Sequence, residues 1–188
     1  MEDLFIEAQE IHAGGVSVYR GIWADPEITI EEIEDYGAVE YFSSLNDAAK
    51  YDKVIESIVK RYTKIIEITA PGYNQNFGVN EGLYKNEEYF VLKFNEGEER
   101  QLTYGGGTAT GRTLTAILYL NDDYDGGEIE FINFDVKIKP TKGTLILFPA
   151  HFVYAYRENE VKNGTKYSIN TLIHDRPLDD LSKEALKL

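Results

Sequence analysis

Cysteine is absent from this chain, and His12, His151 and His174 are its only imidazoles. Thiolate zinc sites, iron–sulfur clusters, cysteine nucleophiles and disulfide scaffolds are therefore excluded. For His151 no carboxylate or second histidine stands alongside as a candidate partner. His151 lies in Phe148-Pro149-Ala150-His151 and reads as a loop histidine at a strand end. His174 stands beside Asp175 as a surface pair, and His12 precedes the first strand. Asp122, Asp123 and Asp125 form an acidic turn, but an EF-hand needs acids or amides at alternating positions and a terminal glutamate, which are missing. Gly105-Gly106-Gly107 is no phosphate loop, because no Lys-Ser or Lys-Thr follows. Glu31-Glu32 and Glu98-Glu99 read as solvated acidic faces. Tyr104, Tyr154, Tyr156 and Tyr167 are candidates for an aromatic pocket, with ordinary packing as the competing account.

The chain has 188 residues, with 19 basic and 33 acidic side chains, for a net charge of −14. That length fits one domain, and a 43 % hydrophobic fraction fills one core. Without a run of Lys or Arg, a phosphate-tracking surface is not expected, so nucleic acid is excluded as a partner. The start, Met1-Glu2-Asp3-Leu4, is acidic where a signal peptide is basic, and no stretch reaches the roughly 18 apolar residues of a membrane span. A soluble cytoplasmic protein with no membrane partner is expected. The acidic balance favours a cationic or neutral partner, either a protein or a small molecule.

The elements that would position these groups come in two textures. Val16–Ile22 is β-branched and aromatic, as in a strand, and Ile30–Tyr36 suits a short acidic helix. A long amphipathic helix is expected from Asn46, as N-cap, to about Ile66. There Tyr51, Val54, Ile55, Ile58, Val59, Tyr62, Ile65 and Ile66 recur at three and four. Pro71-Gly72 is expected to stop it, leaving Tyr73–Glu88 as an irregular loop. Short β-rich runs follow at Tyr89–Asn95, Thr113–Asn121, Glu128–Ile132, Val136–Lys139, Thr144–Phe148, Val153–Arg157 and Lys166–His174. The expected division is a strand and helical support region over 1–88, a β core over 89–174, and a tail over 175–188 with a short helix at Asp179–Leu188. Many short strands after helices predict a sandwich or barrel covered on one face by the long helix.

Arg112–Phe131 (RTLTAILYLNDDYDGGEIEF), Lys139–Phe148 followed by Pro149, and Gly164-x-Lys166-Tyr167-Ser168 stand in a particular order and spacing. Together they resemble the prolyl 4-hydroxylase-like branch of the iron(II) and 2-oxoglutarate dependent oxygenases, over roughly Tyr89–Ile173. The resemblance implies a mainly β chain with N-terminal helices packed on the major sheet of a double-stranded β-helix, the cupin-like jelly roll. It also implies iron(II) and 2-oxoglutarate as cofactors. The metal would be held by a His-x-Asp pair and a second histidine, leaving open positions for cosubstrate and oxygen.

By spacing from Gly97 and Arg112, the His-x-Asp positions of that pattern fall on Thr103 and Gly105. Counting back from Val161, Gly164 and Lys166 places the second histidine position on Tyr156. All three ligands are substituted, and a slip of one residue restores none. Lys166 stands where the family pairs a cation with the 2-oxoglutarate carboxylate, the competing account being a lysine paired with a local acid. Phe94 replaces a tyrosine that often helps to hold the cosubstrate. The expectation is an oxygenase-like fold without bound metal or catalysis, acting as a binding or structural module. The alternative is an active hydroxylase of a prolyl or small-molecule substrate that uses other metal ligands.

Overall fold

The computed structural model describes residues 5–22, 26–35, 44–77, 85–106 and 111–174. The helix expected at Asp179–Leu188 lies outside them, as does Gly107 of the glycine run. The chain opens with an antiparallel hairpin of β1 (Phe5–Ile11) and β2 (Ser17–Ile22), followed by helices α1 (Pro26–Asp35), α2 (Leu45–Ala48) and α3 (Lys53–Phe77). The remaining strands are β3 (Lys85–Asn86), β4 (Phe90–Phe94), β5 (Arg100–Thr103), β6 (Arg112–Tyr119), β7 (Asp125–Gly126), β8 (Ile129–Phe131), β9 (Val136–Ile138), β10 (Leu145–Pro149), β11 (Tyr156–Glu158), β12 (Val161–Asn163) and β13 (Lys166–His174).

A seven-stranded sheet runs β1-β2-β10-β6-β13-β3, with β4 also paired to β13, and a four-stranded sheet runs β5-β11-β8-β9. Every pairing is antiparallel. Alternation along the central strands gives the larger sheet two buried faces. Leu114, Ala116 and Leu118 of β6, with Leu145, Leu147 and Ile169, pack against Ile55, Ile58, Tyr62, Ile65 and Ile66 of α3. Ile117 and Tyr119 of β6, with Ile146 and Phe148, join Ile129, Phe131 and Tyr156 of the smaller sheet in a second core between the sheets. The helical layer and the jelly-roll interior are thus separate cores sharing one sheet.

α3 departs from expectation at both ends. Its N-terminal donors are capped by Asp52, whose Oδ1 accepts from the amides of Val54 (2.7 Å) and Ile55 (3.1 Å). Asn46 instead accepts from the Tyr89 amide, and Ser44 caps α2. The helix also continues through Pro71 to Phe77. Proline removes one helical hydrogen bond and crowds the preceding turn. Buried Tyr73 and Asn74 nevertheless dock the last turns, and Tyr73 Oη donates to the Gly15 carbonyl at 2.9 Å. Tertiary packing overrides the local stop signal.

Candidate functional site

The jelly-roll interior follows from strand parity. On β11, Tyr156 and Glu158 are buried and Arg157 between them is exposed. Tyr156 is the register partner of Thr103 on β5, and Glu158 that of Arg100. On β13, Lys166 and Ser168 are buried beside β4 and β6.

Thr103 and Tyr156 therefore sit opposite one another. The Tyr156 ring lies 5.1 Å from Phe148 and 6.1 Å from Phe131, and its Oη accepts from Arg100 Nη1 at 3.1 Å. Burial raises its pKa and the Arg100 charge opposes this, so the phenol stays protonated. Gly105 is closed off: a Cβ there would lie 2.6 Å from Ala150 Cβ, 2.7 Å from Thr115 Oγ1 and 2.9 Å from Leu172 Cδ2. Thr115 is the register partner of Phe148, so Gly105 and Tyr156 border the same interior from two sides.

Lys166 is wholly buried and already partnered. Its Nζ donates to Glu158 Oε2 at 2.6 Å and to the Gly127 carbonyl at 3.2 Å, and both side chains are 0 % exposed. The Phe94 ring lies 4.5 Å from the ammonium, so the residue at that position contributes a π face in place of a donor. Glu158 Oε1 makes no hydrogen bond, and Arg100 Nη1 stands 3.9 Å from it. One carboxylate thus lies between a fully buried ammonium and a partly exposed guanidinium.

Sequence reasoning missed Glu158 and Arg100 as site residues. The signal was available: two residues from an inward Tyr156, Glu158 must share its face, and a buried acid requires a cation. A second cluster was also missed. Arg112 grips Glu87 with Nε at 2.7 Å and Nη2 at 3.0 Å, and its Nη1 donates to the Gly105 carbonyl at 3.2 Å. His174 Nε2 lies 2.6 Å from Glu87 Oε1. Burial pushes the Glu87 carboxyl up, but hydrogen bonds and charge from Arg112 and His174 outweigh it and leave the pKa lowered. His174, 2 % exposed, is buried rather than at the surface as its position suggested, and Asp175 lies outside the described residues.

The remaining expectations resolve separately. The four tyrosines do not gather. Tyr156 is interior, Tyr154 packs on Phe134, and Tyr104 is 51 % exposed. Tyr167 faces the helical layer, where its hydroxyl donates to Glu34 of α1. His151 accepts from the Val153 amide at 3.4 Å, as a loop cap, and His12 pairs with Glu10. In the acidic turn, Asn121 bridges Asp123 and the Thr165 carbonyl, and Asp122 accepts from the Lys142 amide. Among the described residues no group of three or more His, Asp or Glu side chains is arranged to hold a metal ion.

Residues 88–174 match the family model of the 2OG-Fe(II) oxygenase superfamily. That segment is 87 of the chain's 188 residues, and over it the chain is similar to this superfamily. The fold agrees along nearly the whole length. The truncated viral collagen prolyl hydroxylase of Paramecium Bursaria Chlorella virus-1 superposes with a TM-score of 0.65 at 20 % identity, covering 94 % of this chain and 99 % of that one. A Pseudomonas putida prolyl-4-hydroxylase gives a TM-score of 0.60 at 17 % identity, covering 87 % and 90 %. No curated protein matches the sequence. The architecture is the double-stranded β-helix of these oxygenases, with α3 on its major sheet. No helix among the described residues is long and apolar enough to cross a membrane.

The superfamily's two cofactors do not fit the residues present. Thr103, Gly105 and Tyr156 offer iron(II) a neutral hydroxyl, no side chain, and a protonated phenol, where its usual site supplies two imidazoles and a carboxylate. Gly105 cannot accept a carboxylate-bearing side chain without displacing Ala150 and Thr115. Lys166, which the resemblance aligns with the cosubstrate-binding cation, already donates to Glu158.

Proposed function

We propose that this oxygenase-fold protein is noncatalytic and serves as a binding or structural module. The observation that carries the reading is the buried Lys166–Glu158 contact at 2.6 Å, which satisfies internally the cation that the family directs at a cosubstrate. Gly105 supports it, because the backbone there runs too close to Ala150 and Thr115 for any ligand-bearing side chain. A protonated Tyr156 beneath Phe131 and Phe148 adds packing and no metal donor of useful strength. The interior is then a solid core rather than a reaction chamber, and recognition falls to the exterior. There the net charge of −14 favours a basic protein or a small cationic molecule.

The test is turnover. Protein supplied with iron(II), ascorbate and 2-oxoglutarate, with and without proline-containing peptides, is assayed for succinate. No succinate above a metal-chelated control is expected. Catalytic succinate formation by the homogeneous protein overturns the reading.

A further inference from the structure

The interior carboxylate has a specific geometry. Glu158 Oε2 takes the Lys166 ammonium at 2.6 Å, and Oε1 faces Arg100 Nη1 at 3.9 Å. Lys166 is held by the Gly127 carbonyl and walled by the Phe94 ring. Gly127 has a positive φ of 63°, and a Cβ there would come within 3.3 Å of Lys166 Cδ, so the chain passes close along the lysine stem. Tyr119 and Tyr124, both buried, keep hydroxyls without a hydrogen-bond partner, as does Ser168, adjacent on the same face as Lys166. The carboxylate thus has buried hydroxyls around it and two cations, Lys166 and Arg100, facing its oxygens.

We propose that Glu158 is a tethered ligand: from within the chain it occupies the anion seat formed by Lys166, whose ammonium the Gly127 carbonyl also holds, and Arg100, and so closes that seat to free carboxylates. The inference rests on the noncatalytic reading of the interior but fails separately from it. Beyond Cβ, the Glu158 side chain is a methylene and a carboxylate, which is the size and charge of acetate. Removing it should therefore leave a seat of acetate shape, with two cations and no anion. The unpaired buried charge destabilises the protein, and a small carboxylate that restores the pair stabilises it by mass action.

The experiment is thermal unfolding of the full chain, wild type and Glu158→Ala, titrated with acetate, with 2-oxoglutarate, and with acetamide as neutral isostere, at matched ionic strength. The wild type is expected to show no saturable response to either carboxylate. Glu158→Ala is expected to lose roughly 10 °C in Tm. Acetate should recover a saturable part of that loss, and acetamide none. Lys166→Met combined with Glu158→Ala should abolish the acetate response. Glu158→Gln, which keeps the seat filled, should not respond. If Glu158→Ala does not fold alone, its refolding yield in acetate against acetamide is read in place of Tm, with a higher yield in acetate expected. A saturable carboxylate response in the wild type overturns the proposal, as does a Glu158→Ala protein indifferent to acetate in both readouts. Iron content measured on the same samples separates the two readings. Carboxylate binding by metal-free wild type sinks the tethered ligand alone, and stoichiometric iron without carboxylate binding sinks the noncatalytic reading alone.

Discussion

Lys166 and Glu158 lie on separate strands, β13 and β11, with Nζ and Oε2 2.6 Å apart and neither side chain reached by solvent. Breaking such a pair from one side leaves an uncompensated buried charge, whereas replacing both partners with apolar groups is often neutral. Lys166→Met alone is expected to cost about 3–5 kcal/mol, and Lys166→Met with Glu158→Leu to recover most of that loss. Urea unfolding of the two variants and the wild type measures it. Equal losses in the single and double variants would show that the pair is not coupled.

Gly105 makes a different demand, one of space. A methyl group there meets Ala150, Thr115 and Leu172 inside ordinary contact distance; Thr115 is paired within the sheet and the Ala150 amide donates to the Thr113 carbonyl at 2.9 Å. Gly105→Ala is expected to destabilise by about 1–3 kcal/mol through overpacking. Installing the family's carboxylate there should cost at least as much, so substituting histidine at Thr103 and Tyr156 with Gly105→Asp should not rebuild a metal site in a stable fold. Denaturant midpoints for the series check this.

The Glu87 cluster gives the fold an acid limit. The Glu87 pKa lies below its ordinary value of 4.5 because Arg112 and His174 favour the ionised form more than burial opposes it. The folded state thus binds the proton more weakly than the unfolded chain. The stabilisation is complete above the unfolded value and is lost as pH falls through the lower folded value. Compared with Glu87→Gln from about pH 5 to about pH 3, the stability advantage of the wild type should shrink as pH falls below about 4.5. An advantage that grows on acidification would contradict the cluster's role.

Pro71 sits inside α3 and is exposed. Since Tyr73, Asn74 and the Tyr73–Gly15 hydrogen bond hold the last turns, the proline is tolerated rather than required. Pro71→Ala should stabilise by on the order of 1 kcal/mol, up to the full helix-propensity difference of about 3 kcal/mol. Thermal unfolding reads this as a higher Tm.

What the sequence made legible follows period and what it hid follows partnership. The apolar spacing of Ile55, Ile58, Tyr62, Ile65 and Ile66 announced the face of α3 that covers the sheet, and alternation announced β6 and β13. Short strands with little apolar content, β5, β7 and β12, left no such signal. β1, with Glu7, Gln9 and Glu10 exposed, reads as polar chain. Pro71 gave a true local preference that distant contacts from Tyr73 outweighed. In the site, Thr103 and Tyr156, which the resemblance singled out, are register partners across β5 and β11. The partners of Lys166 and His174 were hidden because Glu158 and Glu87 are defined by sheet pairing and not by sequence neighbours.

Thr103, Gly105 and Tyr156 together offer a metal ion no imidazole and no carboxylate. Metal stoichiometry reads out the consequence: the protein is loaded with iron(II) or manganese(II) under anaerobic conditions, with and without 2-oxoglutarate, freed of excess metal, and analysed for metal per chain. Far less than one metal ion per chain is expected, unchanged by 2-oxoglutarate. One ion retained per chain, lost on chelation and strengthened by 2-oxoglutarate, would overturn the noncatalytic reading.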